Sequence, residues 1–249
     1  MPGSVPEVVF ITGGSSGIGE GLARAFHARG ATVIVAGRDA VALARVAADC
    51  PGMETVVLDV SDADAVARVA EDIGARFPAL TTVVNNAGVQ RVLDFRGAAP
   101  TPAEMAVEVD TNVKGVLYVT AAFLPLLARQ PSARIVQVSS GLAFVPLVAA
   151  PVYSATKAAV HAFTVALREQ LAGGPVRVVE LIPPVVKTNL HRGQARQPKG
   201  AMPLDVFVGK AMQGLDSGRD ELPIGLAGVL RLGARVAPGF FRGVLNKAR

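Results

Sequence analysis

Cysteine is nearly missing from this 249-residue chain: Cys50 stands alone, so neither an intramolecular disulfide nor a cysteine metal cluster can form. Cys50 itself reads as a small buried apolar residue. Histidine is almost as scarce. His27, His161 and His191 lie far apart and form no H-x-x-x-H pair, so no structural metal is expected. The N-terminal run Met1 to Phe10 lacks a basic region and leads straight into a strand-like segment. It does not read as a signal peptide, and a cytoplasmic location is expected. Charge is absent from Ile135 to Thr156, a stretch long enough to span a bilayer. That stretch contains Gln137, Ser139, Ser140, Pro146, Pro151, Tyr153 and Ser154, so burial inside a soluble protein is the expectation. Acids are missing from residues 226–249, where Arg231, Arg235, Arg242, Lys247 and Arg249 account for the whole formal net charge of +5. With the excess confined to one tail, no nucleic-acid partner is expected.

What is present is an apolar chain, 51% hydrophobic, with no linker, low-complexity run or internal repeat. Short β-branched segments recur at Val8–Thr12, Thr32–Ala36, Thr55–Leu58, Thr82–Asn85, Arg134–Ser139 and Val176–Leu181. Each reads as a strand buried on both faces. Amphipathic stretches alternate with them at Gly17–Arg29, Asp39–Ala48, Asp62–Phe77, Pro102–Gln130 and Val152–Ala172. Such alternation predicts an α/β fold: one domain, with a parallel sheet between two layers of helices. Beyond Thr188 a loop, a short helix over Pro203–Ser217 and a last strand at Leu222–Gly225 are expected. Gly233, Pro238, Gly239 and Gly243 argue against one continuous helix in the tail.

Thr12-Gly-Gly-Ser-Ser-Gly-Ile-Gly19 follows the first strand and opens the first helix, the context a dinucleotide fingerprint requires. Gly13 permits a tight turn, Gly17 lets backbone approach a pyrophosphate, and Gly19 lets the helix close on the sheet. The helix N-terminus adds free N–H groups for an anion. The second strand ends at Gly37-Arg38-Asp39. A carboxylate there would bind the ribose 2′-OH of NAD, whereas an arginine accommodates the 2′-phosphate of NADP. Asp39 reads instead as a helix N-cap, and Gly37 leaves room for a phosphate beside Arg38. NADP(H) is therefore favoured, with NAD(H) possible. Later in the chain, Tyr153 and Lys157 stand four residues apart, on one helix face. A cation beside a phenol is expected to favour the phenolate and lower its pKa, making an acid–base unit.

Together these pieces resemble the compact branch of the short-chain dehydrogenase/reductase family, closely from Val8 to about Thr188. The matching elements are Thr12–Gly19, Asp59-Val60, Asn85-Asn-Ala-Gly88, Asn112, Ser140, Tyr153 with Lys157, and Thr188. Asn-Asn-Ala-Gly-Val-Gln-Arg91, Ser-Gly-Leu-Ala-Phe-Val-Pro146, Pro151–Ala159 and the ending with Pro238, Phe241 and Asn246 are similar to its DltE-like branch. The resemblance implies a Rossmann-type doubly wound sheet and a carbonyl–alcohol oxidoreductase with four catalytic residues. Ser140 would polarise the substrate oxygen, Tyr153 exchange a proton with it, Lys157 hold the nicotinamide ribose, and Asn112 keep a relay water. Gly13, Ser15, Ser16, Gly17, Ile18 and Gly19 would line the pyrophosphate. Arg38, Asp59, Val60, Asn86, Ala87 and Gly88 would line the rest of the nucleotide, with Pro183, Val186 and Thr188 near the carboxamide. Pro183-Pro184 replaces the family's usual Pro-Gly, which predicts a slight rearrangement there.

Leu142, Phe144, Val145, Leu147 and Val148 are expected to wall an apolar substrate pocket. Residues 189–249 would form a lid, with His191, Arg192 and Arg196, and a C-terminal extension. The basic tail is expected to pack over the pocket or against another subunit rather than on a membrane, in a homodimer or homotetramer. Two other functions fit the same fold: a non-catalytic dinucleotide sensor, and an epimerase or dehydratase.

Overall fold

In the computed structural model, residues 7–97, 99–188, 190 and 200–247 are described. Among them, seven strands run through the chain: β1 (Val8–Thr12), β2 (Thr32–Gly37), β3 (Glu54–Val57), β4 (Leu80–Asn85), β5 (Ala133–Val138), β6 (Val176–Ile182) and β7 (Glu221–Pro223). All pair in parallel, in the order β3-β2-β1-β4-β5-β6-β7. Parallel neighbours need a crossover, and helices supply it: α1 (Gly17–Ala28), α2 (Ala40–Asp49), α3 (Ala63–Arg76), α4 (Pro102–Val109), α5 (Gly115–Leu127), α6 (Pro151–Gln170) and α7 (Leu204–Asp216). The tail forms α8 (Leu226–Val236) and α9 (Pro238–Lys247), which part at Ala237 before Pro238. None of the described helices is long and apolar enough to cross a membrane.

Alternate side chains of the central strands feed two cores. Val9, Ile11, Val33 and Val35 pack with Leu22, Phe26 and Phe207 on one face. Phe10, Ile34, Val83 and Ile135 pack with Val66, Ile73, Phe123 and Leu127 on the other. Cys50 ends α2 and is buried in the first of these cores. The doubly wound expectation holds, with the reversal of strand order between β1 and β4 opening the crevice that receives ligands in such sheets.

Three local expectations need correction. β3 is not buried on both faces: it pairs only with β2 at the sheet edge, and its residues alternate between half-buried and exposed. The single helix expected over Pro102–Gln130 is two, joined by a π turn at Asp110–Lys114. Asn112 sits in that turn with its side chain bonded to Val89 and Thr156 outside the helix, and such π turns occur often at functional sites. The last strand, expected at Leu222–Gly225, is shorter and runs over Glu221–Pro223, starting one residue earlier and ending two earlier. Asp39 and Asp62 do cap their helices, accepting from Ala42 N at 3.0 Å and Ala65 N at 2.9 Å.

Candidate active site

At the carboxyl end of β1 the chain must turn sharply into α1. Gly13 and Gly17 do so with φ of 65° and 56°, a region open to glycine at little cost. Gly19 is demanded by packing: a Cβ there would lie 2.2 Å from Gly13 O and 2.4 Å from Asn86 Nδ2. Asn86 Nδ2 donates to Thr12 O at 3.0 Å and Gly13 O at 3.2 Å. Thr12 Oγ1 accepts from Asn86 N at 3.0 Å and Ala87 N at 3.1 Å. Thr12 thus ties the glycine turn to the segment after β4, a role that motif spacing alone does not reveal. Ser16 stands at the helix N-cap without a side-chain bond, so the first N–H groups of α1 have no protein oxygen from it. Ile18 packs on the core below the turn. The turn, its positive-φ glycines and its uncapped helix end fit a pyrophosphate.

Gly37 and Arg38 border the same turn. A Cβ on Gly37 would come within 3.1 Å of Ser15 Oγ, so the strand end and turn are in contact. Arg38 Nη1 lies 3.8 Å from Asp59 Oδ2, and both side chains are largely exposed. Burial works against ionising Asp59, but hydrogen bonds from Ser61 N and Oγ and the Arg38 charge outweigh it and hold the carboxyl below its ordinary range. Val60 is buried against Gly115, where a Cβ would sit 2.6 Å from Val60 Cγ2. Across the crevice, Thr188 packs on Gly17, whose Cβ would lie 3.2 Å from Thr188 Cβ. Val186 is buried and bridges to Met202.

Tyr153 and Lys157 lie one turn apart near the start of α6, both buried. Lys157 Nζ donates to Val138 O at 2.8 Å and lies 5.7 Å from the Tyr153 ring centroid. Gly88 is beside it: a Cβ there would be 3.7 Å from Lys157 Nζ and 3.3 Å from Asn112 Oδ1. Ser140 follows β5 with extended backbone, and its Oγ accepts from Leu142 N at 3.1 Å. Ser140 stands near enough to the Tyr153 phenol to pull its pKa down against the effect of burial. Asn112 is fully buried. Its Nδ2 donates to Val89 O at 2.8 Å and Thr156 Oγ1 at 3.1 Å, and its Oδ1 accepts from Val89 N at 2.8 Å. Both its N–H donors are used on protein, so Asn112 braces the segment after β4 against α6.

The electrostatics depart from the expectation that lysine lowers the tyrosine pKa. Burial pushes the Tyr153 phenol well up; Ser140 opposes this and the Glu108 charge adds to it. Burial also pushes Lys157 down, to about 8 from the 10.5 of a free lysine, with Glu180 pulling the other way. Desolvation disfavours phenolate and ammonium alike, so neither charge stabilises the other enough to win. A stability consequence follows. Below about 8 the folded chain bears the full cost of burying the ammonium, and that cost fades as pH climbs to 10.5, where the unfolded chain also loses the proton. Thermal melts across this window should show wild type gaining on Lys157→Met as pH rises; a pH-independent gap would mean the ammonium is not desolvated.

Two buried carboxyls escaped the sequence reading. Glu108 lies one turn before Asn112, is fully buried, and accepts from Arg91 N at 2.8 Å through Oε1. Burial raises its carboxyl pKa against the pull of Arg91. Glu180 on β6 is also fully buried and sits 2.8 Å from His161 Nδ1, one turn beyond Lys157. The signal was an acid set among Val178, Val179, Leu181 and Ile182, and a His continuing the Tyr153–Lys157 face at the same four-residue step.

Pro183-Pro184 does not disturb the backbone with a cis bond, and Pro183 O accepts from Gly141 N at 3.0 Å. The expected apolar wall divides. Val145 is core, Val148 is exposed, and Leu142, Phe144 and Leu147 are half-buried. Phe144 packs edge-on against His161. His191, Arg192 and Arg196 lie outside the described residues.

Residues 7–199 match the family described as short chain dehydrogenase. The chain is 38% identical over 218 residues to DltE, an uncharacterized oxidoreductase of Bacillus subtilis (strain 168), with 86% of each chain covered. It is similar to the structure of a short chain dehydrogenase from Burkholderia cenocepacia J2315 in complex with NADP, at 29% identity and a TM-score of 0.84, over 96% of this chain and 97% of that one. It is also similar to 3-ketoacyl-(acyl-carrier-protein) reductase from Brucella melitensis complexed with NADH, at 30% identity and a TM-score of 0.78, over 86% of this chain and 93% of that one.

Proposed function

The chain belongs to the short-chain dehydrogenase family, and from that membership we propose that it interconverts a ketone or aldehyde and an alcohol with a nicotinamide dinucleotide, NADPH preferred. The observation that carries the reading is the buried Ser140–Tyr153–Lys157 group beside the glycine turn. The pyrophosphate would rest on Gly13, Ser15, Ser16, Gly17 and the first turn of α1. Asp59, Val60, Asn86, Ala87 and Gly88 would line the adenosine side; Pro183, Val186 and Thr188 would lie toward the carboxamide. When bound, the dinucleotide supplies or accepts the hydride. Ser140 orients the substrate oxygen by a hydrogen bond. Tyr153 gives that oxygen its proton, and the upward-shifted phenol is the protonated form that a reduction consumes. Lys157, a donor with its charge close to titrating at neutral pH, holds ribose hydroxyls and helps return a proton to the phenol. Asn112 fixes the π turn, leaving backbone carbonyls there to hold a relay water.

Arg38 supports the NADP preference, since a guanidinium beside a glycine suits a 2′-phosphate. Arg38→Ala is expected to weaken NADPH about tenfold and leave NADH nearly unchanged, as read by fluorescence titration of each. Equal losses for both dinucleotides would remove Arg38 from the assignment. The reaction itself is tested by following reduced-nicotinamide absorbance across a panel of ketones and aldehydes. Binding without any turnover would leave the dinucleotide-sensor reading in its place. The soluble homo-oligomer and the apolar substrate remain part of this proposal.

A further inference from the structure

The two tail helices rest on the molecule by one side only. Inward, Leu230 and Ala227 close over Gly141, whose Cβ would lie 3.2 Å from Leu230 Cδ1. Asn246 accepts from Val148 N at 2.8 Å and donates to Pro146 O at 3.2 Å, and Arg231 pairs with Glu221. Outward, Leu226, Val229, Leu232, Val236, Phe240 and Val244 are each at least half exposed. Their steps of three and four residues within each helix align them as a stripe on each. α9 buries none of its ten residues. A helix that short is marginal by itself, so it stands to gain from a partner on its outer face. Exposed apolar area of this extent marks an interaction surface.

The charge pattern selects the partner. No acid occurs in residues 226–249. Arg231 is used by Glu221, while Arg235, Arg242 and Lys247 make no ion pair among the described residues. Arg235 lies one turn from Leu232 and Lys247 one turn from Val244, so a second copy docking by the same face would bring these two bases against themselves, since a two-fold contact is self-facing. An anionic surface meets both halves of the pattern, with apolar side chains entering the interface and bases on the headgroups. We propose that α8 and α9 form a docking face for an anionic lipid surface, set beside the loop that follows Ser140. Val148, exposed where Asn246 grips its backbone, extends the face toward the crevice.

The test is co-sedimentation of the full chain with phosphatidylcholine vesicles, with and without about 30% phosphatidylglycerol. Pelleting is expected only with the anionic vesicles, with loss as salt rises from about 0.1 to about 0.5 M. Leu232→Glu and Phe240→Glu, and separately Arg235→Gln with Lys247→Gln, should each reduce the bound fraction about tenfold without lowering the melting temperature or dinucleotide affinity. No pelleting with either vesicle would overturn the proposal, as would binding indifferent to these variants. If wild type failed to pellet and Phe240→Glu instead reduced the mass in analytical ultracentrifugation, the stripe would be a self-interface and the lipid assignment wrong.

Discussion

Tyr153→Phe is expected to bind reduced dinucleotide as tightly as wild type and to turn it over about 10³-fold more slowly. The substitution removes one oxygen from a buried ring and leaves its packing on α6 intact. What goes is the hydroxyl proton that the substrate oxygen must receive. Because burial keeps the phenol protonated, the loss should be uniform through neutral pH in the reducing direction rather than confined to one limb of the profile. The readout pairs a titration of NADPH with the decay of reduced-nicotinamide absorbance. A variant as fast as wild type would remove Tyr153 from the chemistry. A variant that lost binding and rate together would make it a cofactor contact alone.

Gly19→Ala is expected to be the most damaging single-methyl change in the first half of the chain. The added carbon would sit 2.2 Å from Gly13 O and 2.4 Å from Asn86 Nδ2, far inside contact distance. The carbonyl belongs to the turn itself, and Asn86 is held there by two hydrogen bonds, so neither can step aside cheaply. Overpacking of this kind costs about 1–3 kcal/mol, or a fall of roughly 2–4 °C in melting temperature for each kcal/mol in a domain of this size. Dinucleotide affinity should fall with it, because the strain is relieved by opening the turn that would hold the pyrophosphate. Gly30→Ala is the control: its Cβ would meet nothing within 4 Å, so only its φ of 83° is penalised and binding should persist. Intact NADPH affinity in Gly19→Ala would refute the assignment of the turn.

Much of this was legible because the decisive signals are local. A β-branched run, a glycine turn and a capping aspartate act over a few residues, and every strand from β1 to β6, with α1, α2, α3 and α6, lies within a few residues of where the pattern puts it. The family and its DltE-like branch were likewise readable from short motifs, as the matches over most of the chain bear out. What escaped depends on contacts far apart in sequence. The π turn is held by partners of Asn112 lying 23 and 44 residues away. Pattern alone therefore runs an unbroken helix through it. The phenol's upward shift follows from burial by several elements at once, which a four-residue motif cannot report. β3 has the composition of an inner strand, and only the sheet order shows it to be an edge.

The lone thiol has a practical meaning. Cys50 closes α2 in the core shared with Phe26 and Met53, with Arg24 Nη1 3.6 Å from its sulfur. A thiol reagent can reach it only while that layer is transiently open, so its rate of modification is a clock for native-state opening. With one site per chain, that clock has a single phase and an unambiguous endpoint. The α1–α2 layer it watches is the one that carries the glycine turn. Slower labelling in the presence of a dinucleotide would therefore measure, by mass action, how far occupancy of the turn holds this half of the sheet shut.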